Sequence, residues 1–400
     1  MGATNRKSEL KDLAAAESGT LQGSRSRLLF VDNLRIGLMI LVVWHHVAMA
    51  YGAAGLEFYY VELHPDGFSR SLLIFVLGNQ AWFMGAFFLI AGYFTPASFD
   101  MKGPGRFLWS RLLRLGIPLV AYALLLNPLA MLGNFFVEDY LGPLTWETYE
   151  YTDYVRMGPM WFVAMLLIFN FGYAAWRLAR KTRSAPSEAK PSLPGFPATA
   201  IFVLALAGAS YLLRTEIPVG DERFGFPSLA YLPQYLSFFV VGTLAYRRDW
   251  FRRIPVSMGW AGFATALSAA IFLFPLAFSG KMFSLELSEA LSNAFAEGGH
   301  WQAAVYAAWD SAMAVGLCFG LVVLFRQLLD AQGSTRRFLA RHSYTVYVIH
   351  IPVVVFLAVM LRNVEMEHLL KFGMAGVIAV PLCFGVAAVV RKVPYVSKVL

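Results

Sequence analysis

Residues 30–46 read FVDNLRIGLMILVVWHH. From Ile36 to Trp44 no side chain is polar, and the apolar run continues past the two histidines to about residue 54. A bilayer core of about 30 Å takes roughly 17–25 mostly apolar residues at about 1.5 Å of rise each, so this stretch is long enough to span. It is not a secretory signal: the apolar part is long and no small-residue cleavage pattern follows, so it is expected to be retained.

Nine further stretches meet the same length requirement, near 71–94, 112–133, 158–178, 198–214, 228–246, 257–279, 301–325, 342–361 and 370–390. Composition agrees. Of 400 residues 58% are hydrophobic and 14% charged, whereas soluble domains carry about 25% charged residues. The expectation is an all-α, polytopic integral membrane bundle of about ten transmembrane helices. Residues 1–27, which mix Ser, Ala, Lys and Glu without an apolar run, read as a disordered cytoplasmic tail, and 28–400 as one membrane domain. Two cysteines, Cys318 and Cys383, both lie in apolar runs and read as packing residues.

The 33 Lys and Arg against 25 Asp and Glu need not signal a nucleic-acid partner, because basic residues gather in the cytoplasmic loops of membrane proteins. Here 25 of the 33 fall before the first span, in alternate connections and after the last. The other connections hold Arg70, Arg156, Arg214, Arg223, Lys281, Arg362 and Lys371, and Arg35 lies in the first span. That alternation supports ten helices with both termini cytoplasmic. The opposite connections are acidic and aromatic, above all 134–157, with Glu138, Asp139, Glu147, Glu150 and Asp153 beside Trp146, Tyr149, Tyr151 and Tyr154. Such rings either stack on a sugar or form an interfacial belt. The Pro- and Ser-rich segment 181–197 reads as a cytoplasmic loop.

Ionisable groups inside a bilayer cost several kcal/mol unless paired or facing a wet cavity, so each is a functional candidate. His46, Asp310 and His350 stand out, with Asp32 and Arg35 at the start of the first span. At about 100° per residue, Arg35 and His46 differ by about 20° around the helix and Asp32 lies about 60° from Arg35, while His45 is about 80° off that face. Eleven residues are about 16 Å of rise, which separates an arginine at the inner surface from a histidine near mid-membrane. This suits a long phosphorylated donor held by its head, its reactive end beside a neutral imidazole acting as base; acyl-coenzyme A has that shape. The competing reading of His46 is a hydrogen-bonded packing residue.

Arg111 and Arg114, at i, i+3 spacing in RLLRLGIP, form a second basic cluster, either for phosphate or as a positive-inside anchor. Asp310 sits about 14 Å into the eighth span, a depth at which it would orient His46 or meet another buried partner. Ser343, Tyr347 and His350 form a stripe that lines an acceptor path or packs between helices. No metal-binding motif is apparent, and no permanently bound cofactor is expected.

The pieces FVDNLRIGLMILVVWHH, WFMGAFFLIAGYF (82–94), RLLRLGIP (111–118), PMWFVAMLL (159–167) and HSYTVYVIH (342–350) together resemble the membrane acyltransferase-3 family, over nearly everything after the tail. The resemblance implies a bacterial-type inner-membrane enzyme that moves acetyl, succinyl or other acyl groups from acyl-CoA to a carbohydrate. It implies a central role for Arg35 and His46 and donor-side roles for Arg111 and Arg114. Where many relatives have Ser-Gly-Tyr, this chain has Ala91, Gly92 and Tyr93, so the serine's role does not carry over. A secondary transporter or glycan exporter is the alternative, since buried His and Asp also serve proton relays.

Overall fold

The structure is a computed structural model that describes residues 27–53, 58–62, 69–136, 149–180, 193–295, 300–394 and 396–400. Residues 1–26 of the expected tail, Glu138, Asp139, Trp146 and Glu147, and most of segment 181–197 lie outside the described residues. Among those described there is no β-strand, and ten helices are long and apolar enough to cross a membrane. They are α1 (Leu29–Ala50), α2 (Arg70–Lys102), α3 (Pro104–Phe136), α4 (Gly158–Ala179), α5 (Phe196–Arg214), α6 (Leu229–Arg247), α7 (Val256–Ala277), α8 (Trp301–Leu328), α9 (Ser334–Leu361) and α10 (His368–Val390).

All ten spans expected from hydropathy are present, with three starts displaced. α1 begins at Leu29 rather than near residue 34, α3 at Pro104 rather than near 112, and α9 at Ser334 rather than near 342. Hydropathy registers only the part of a helix that lipid covers. The backbone ladder of α9 continues into water through Arg336, Arg337 and Arg341, which cost nothing there.

α1 is central and packs against α2, α8, α9 and α10, while α9 also meets α3. Burial follows this plan: 72% of the apolar window of α9 is buried, against 11% for α5 at the rim. Outward-facing Leu125, Ile168, Ile201, Leu204, Phe272, Val377 and Val389 are exposed. A belt of this extent would be a liability in water and is the surface that lipid requires.

Polar contacts tie the helix ends at the basic face. The Phe30 amide, an orphan donor at the start of α1, donates to the Asp330 carboxylate (3.2 Å), and Asn33 Nδ2 donates to the carbonyls of Leu329 (2.6 Å) and Ala331 (3.0 Å). Asp100 of α2 sits between Arg177 of α4 (3.0 Å) and Arg247 of α6 (3.9 Å). At the opposite face Lys371 of α10, 3% exposed, donates to Glu62 (2.6 Å).

α3 is interrupted by Pro118 and Pro128 and carries π turns at Leu112–Gly116 and Tyr122–Leu126. A helical proline has no N–H for the carbonyl four residues earlier, here those of Arg114 and Leu124. Both carbonyls are recovered by phenols: Tyr344 of α9 donates to Arg114 O (2.8 Å), and Tyr151 donates to Leu124 O. The irregular helix is thus satisfied from outside itself, as an apolar solvent demands.

Two crossings depend on glycine. At α2–α6, a Cβ on Gly92 would collide with the Phe239 carbonyl and one on Gly242 with the Leu89 carbonyl. At α7–α8, Gly262 and Gly316 face one another, each Cβ position 2.5 Å from the other's carbonyl oxygen. Small residues let the backbones approach closely where no hydrophobic effect drives helices together in lipid. Gly262→Val is expected to destabilise the detergent-solubilised protein by about 1–3 kcal/mol, the usual cost of overpacking. Gly208→Ala on α5, where an added methyl meets nothing within 4 Å, leaves the melting temperature unchanged or raises it; equal behaviour of the two variants in a thermal melt would refute the assignment.

Candidate active site

The two histidines that end the apolar run of α1 point different ways. His45 is buried with its ring against Phe83 of α2 (centroids 4.9 Å apart). His46 is only partly buried and faces His350 of α9, centroids 4.7 Å apart. His46 Nδ1 lies 2.8 Å from the Val42 carbonyl one turn back and 3.2 Å from His350 Nε2. His350 is fully buried, and its Nδ1 lies 2.7 Å from the Tyr347 carbonyl. Phe58 covers the His46 ring at 6.0 Å. His46 Nε2 has no hydrogen-bond partner among the described residues.

Below this pair, toward the basic face, Asp32 binds Arg27 (2.6 Å) and stands 3.9 Å from Arg35, whose side chain is 43% exposed. Arg111 lies with its guanidinium 5.1 Å from the Phe107 centroid and a buried Nε without a partner. Arg114 is exposed on the first π turn of α3, and Lys102, bonded to Ser110 (3.0 Å), completes a cluster of positive charge with the two arginines.

Toward the opposite face a polar network continues. The Tyr347 phenol donates to the Pro159 carbonyl. Next to it Gly158 has a φ of +47°, and a Cβ there would strike the Tyr59 hydroxyl and lie 2.7 Å from Asn127 Oδ1, so the position requires glycine on both conformational and steric grounds. Tyr59 donates to Asn127 Oδ1 (2.6 Å) and stands 3.3 Å from the Tyr122 hydroxyl; Asn127 Nδ2 donates to the Tyr154 carbonyl (2.8 Å). Burial pushes the Tyr59 phenol up to about 12, which keeps it a neutral donor. Tyr154 stacks on Tyr149 with centroids 4.9 Å apart. The network therefore reaches from the histidine pair to the aromatic connection.

Two sequence candidates are placed elsewhere. Ser343 donates to the Leu339 carbonyl of its own helix (2.8 Å). Asp310 does not pair with His46: its carboxylate accepts from Arg214 of α5, both residues being buried. The guanidinium stacks against Tyr231 (4.7 Å) and Tyr306 (5.3 Å) and donates from Nε to the Ala230 carbonyl (3.2 Å). Sequence reading assigned Arg214 to a connection, because it closes an apolar run; the structure buries it. Asn127, Tyr59 and Tyr122 were also not singled out, and the available signal was an Asn and a Tyr inside the apolar stretch 112–133. Among the described residues no three metal-ligating side chains gather.

A ten-helix bundle with a histidine pair between a basic cluster and an aromatic connection defines a class of multi-pass membrane proteins. The acyltransferase-3 family model, described as an acyltransferase domain, matches residues 28–390, and the chain belongs to this family. It is a membrane acyltransferase. The chain is 23% identical over 383 residues to the glucans biosynthesis proteins C of Salmonella typhi and Salmonella typhimurium, covering 91% of this chain and 91% of each relative. No solved structure matches the chain.

The Arg214–Asp310 pair yields a test. Removing one partner of a buried ion pair leaves an uncompensated charge, at a typical cost of about 3–5 kcal/mol, whereas replacing both by apolar groups is often close to neutral. Asp310→Ala is expected to lower the thermal stability of the purified protein strongly, and the double variant Arg214→Met, Asp310→Leu to recover most of it. A stable, inactive Asp310→Ala would instead make Asp310 a participant in catalysis.

Proposed function

We propose that the protein transfers an acetyl or succinyl group from cytoplasmic acyl-CoA to a hydroxyl of an extracytoplasmic carbohydrate, acting as a multi-pass protein of a bacterial-type inner membrane with both termini in the cytoplasm. The observation that carries this reading is the position of His46: one ring nitrogen is engaged, the other is free, and the residue stands between a basic cluster and a polar route from the opposite face. The relatives named glucans biosynthesis protein C support a glucan as the acceptor class.

The basic face holds the donor. Arg111 and Arg114, with Arg35 beside Asp32, offer guanidinium forks that match phosphate oxygens in two-pronged geometry, and Lys102 adds a compact charge. From there the donor's thioester reaches upward along α1. The acceptor hydroxyl enters through the Tyr149–Tyr154 region, past Asn127, Tyr59 and Tyr347. His46 Nε2 takes the hydroxyl proton as the oxygen attacks the thioester carbonyl; the new C–O bond forms, the C–S bond breaks, and the proton passes to the departing thiolate to give free CoA thiol. Enclosure by the bundle keeps water from competing as acceptor.

Proteoliposomes supplied with radiolabelled acetyl- or succinyl-CoA on one side and glucan on the other test the reading directly. Covalently labelled glucan is expected, with a rate reduced by about 10²–10⁴-fold in His46→Ala, the usual contribution of a positioned base. Retention of the full rate by that variant, or movement of unmodified glucan without labelling, would overturn it. Arg111→Ala is expected to raise KM for acyl-CoA by about 10-fold or more, since a charge-assisted hydrogen bond contributes about 1.5–3 kcal/mol, and to weaken the salt dependence of donor binding.

A further inference from the structure

The hydrogen bonds of the histidine pair determine where its protons are. Carbonyl oxygens only accept, so His350 Nδ1, at 2.7 Å from the Tyr347 carbonyl, carries a hydrogen. A neutral His350 then has a bare Nε2, and that nitrogen faces His46 Nδ1 at 3.2 Å. His46 Nδ1 also faces a carbonyl, that of Val42 at 2.8 Å, so it too carries a hydrogen, shared between Val42 O and His350 Nε2. Every donor on the two inner nitrogens is matched by an acceptor, and one lone pair remains, on His46 Nε2.

The geometry points to His350 as a positioning residue that holds the His46 ring in its reactive orientation and stabilises it when it becomes imidazolium. This rests on the reading of His46 as the base. A proton arriving at His46 Nε2 leaves the Nδ1–H free to donate as before, and the bond to His350 strengthens as the donor becomes charged. A proton on His350 Nε2 would instead set two N–H groups against each other. The pair therefore accepts one proton, at His46. Among the described residues, the titratable groups that face His46 are His45 on its own helix, at 5.3 Å between centroids, and His350 on α9. The aromatic Phe58 supplies no charge. His350 thus fills, as a neutral acceptor, the place that a carboxylate holds in a Ser-His-Asp arrangement. His350 is buried with both nitrogens engaged and does not itself touch the reacting atoms.

The size of the effect follows from Val42. In a triad, turning the acid into a group that favours the wrong tautomer costs about 10⁴-fold. Here the Val42 carbonyl still selects the Nδ1–H tautomer when His350 is removed, so the loss is that of an orienting partner, about 10–100-fold.

The experiment compares His350→Ala, His350→Gln and His350→Asn with the unaltered enzyme and with His46→Ala in the glucan-labelling assay. Glutamine's terminal amide overlays the Nε2 position and restores an acceptor toward His46, whereas asparagine is too short. Expected are a fall in kcat of about 10–100-fold in His350→Ala with KM for acyl-CoA unchanged, an acidic limb of the pH–rate profile moved to lower pH because the imidazolium has lost a partner, and recovery by Gln but not by Asn. The contrast between Gln and Asn still decides the matter if the Ala variant folds poorly. An unchanged kcat and pH profile in His350→Ala, or equal rescue by Asn and Gln, would overturn the inference while leaving His46 as base. Full activity of His46→Ala would mark the failure of the underlying reading instead.

Discussion

Lipid offers no hydrogen-bond partner, and most of the architecture follows from that constraint. Helices satisfy their own ladders, which is why ten of them cross the bundle and no strand occurs among the described residues. Where α3 breaks its ladder at Pro118 and Pro128, tyrosines from elsewhere in the chain take up the freed carbonyls. Where charge is buried, as at Arg214 and Asp310, it is paired, flanked by two aromatic faces and bonded to a carbonyl. Some polar atoms stay without a partner among the described residues, Arg111 Nε and one ring nitrogen of His46 among them. What sets the His46 nitrogen apart is the second histidine, His350, held against the other side of its ring.

Much of the fold was legible because the two signals in the chain are local. An apolar stretch of sufficient length and the alternation of basic connections need no knowledge of neighbours, and both led to the ten spans found. The starts of α1, α3 and α9 were missed by five, eight and eight residues, since backbone hydrogen bonding persists where lipid has ended. Helical geometry also separated the faces of His45 and His46, because both lie on one regular helix, and the structure turns one toward Phe83 and the other toward His350.

What joins one helix to another was not legible. The sequence places Asp310 and His350 at membrane depth without saying which residue each meets, and the structure pairs the first with Arg214 and the second with His46. The choice depends on how ten helices pack, which glycines such as Gly92, Gly242, Gly262 and Gly316 govern through contacts with residues far along the chain. Tyr59, Tyr122 and Asn127 share a network for the same reason: α3 and the connection after α1 bring them together, and none has a motif of its own.

The start of α1 is held by residues about three hundred positions later: the Phe30 amide by Asp330, and Asn33 by the backbone that follows α8. His46 meets His350 across a similar interval. During synthesis α1, which bears His46, is made well before α9, which completes its surroundings. Contacts of such long range form late. The pair is therefore absent from a nascent chain until α9 has been made, so the centre is a product of the assembled bundle and not of α1 alone.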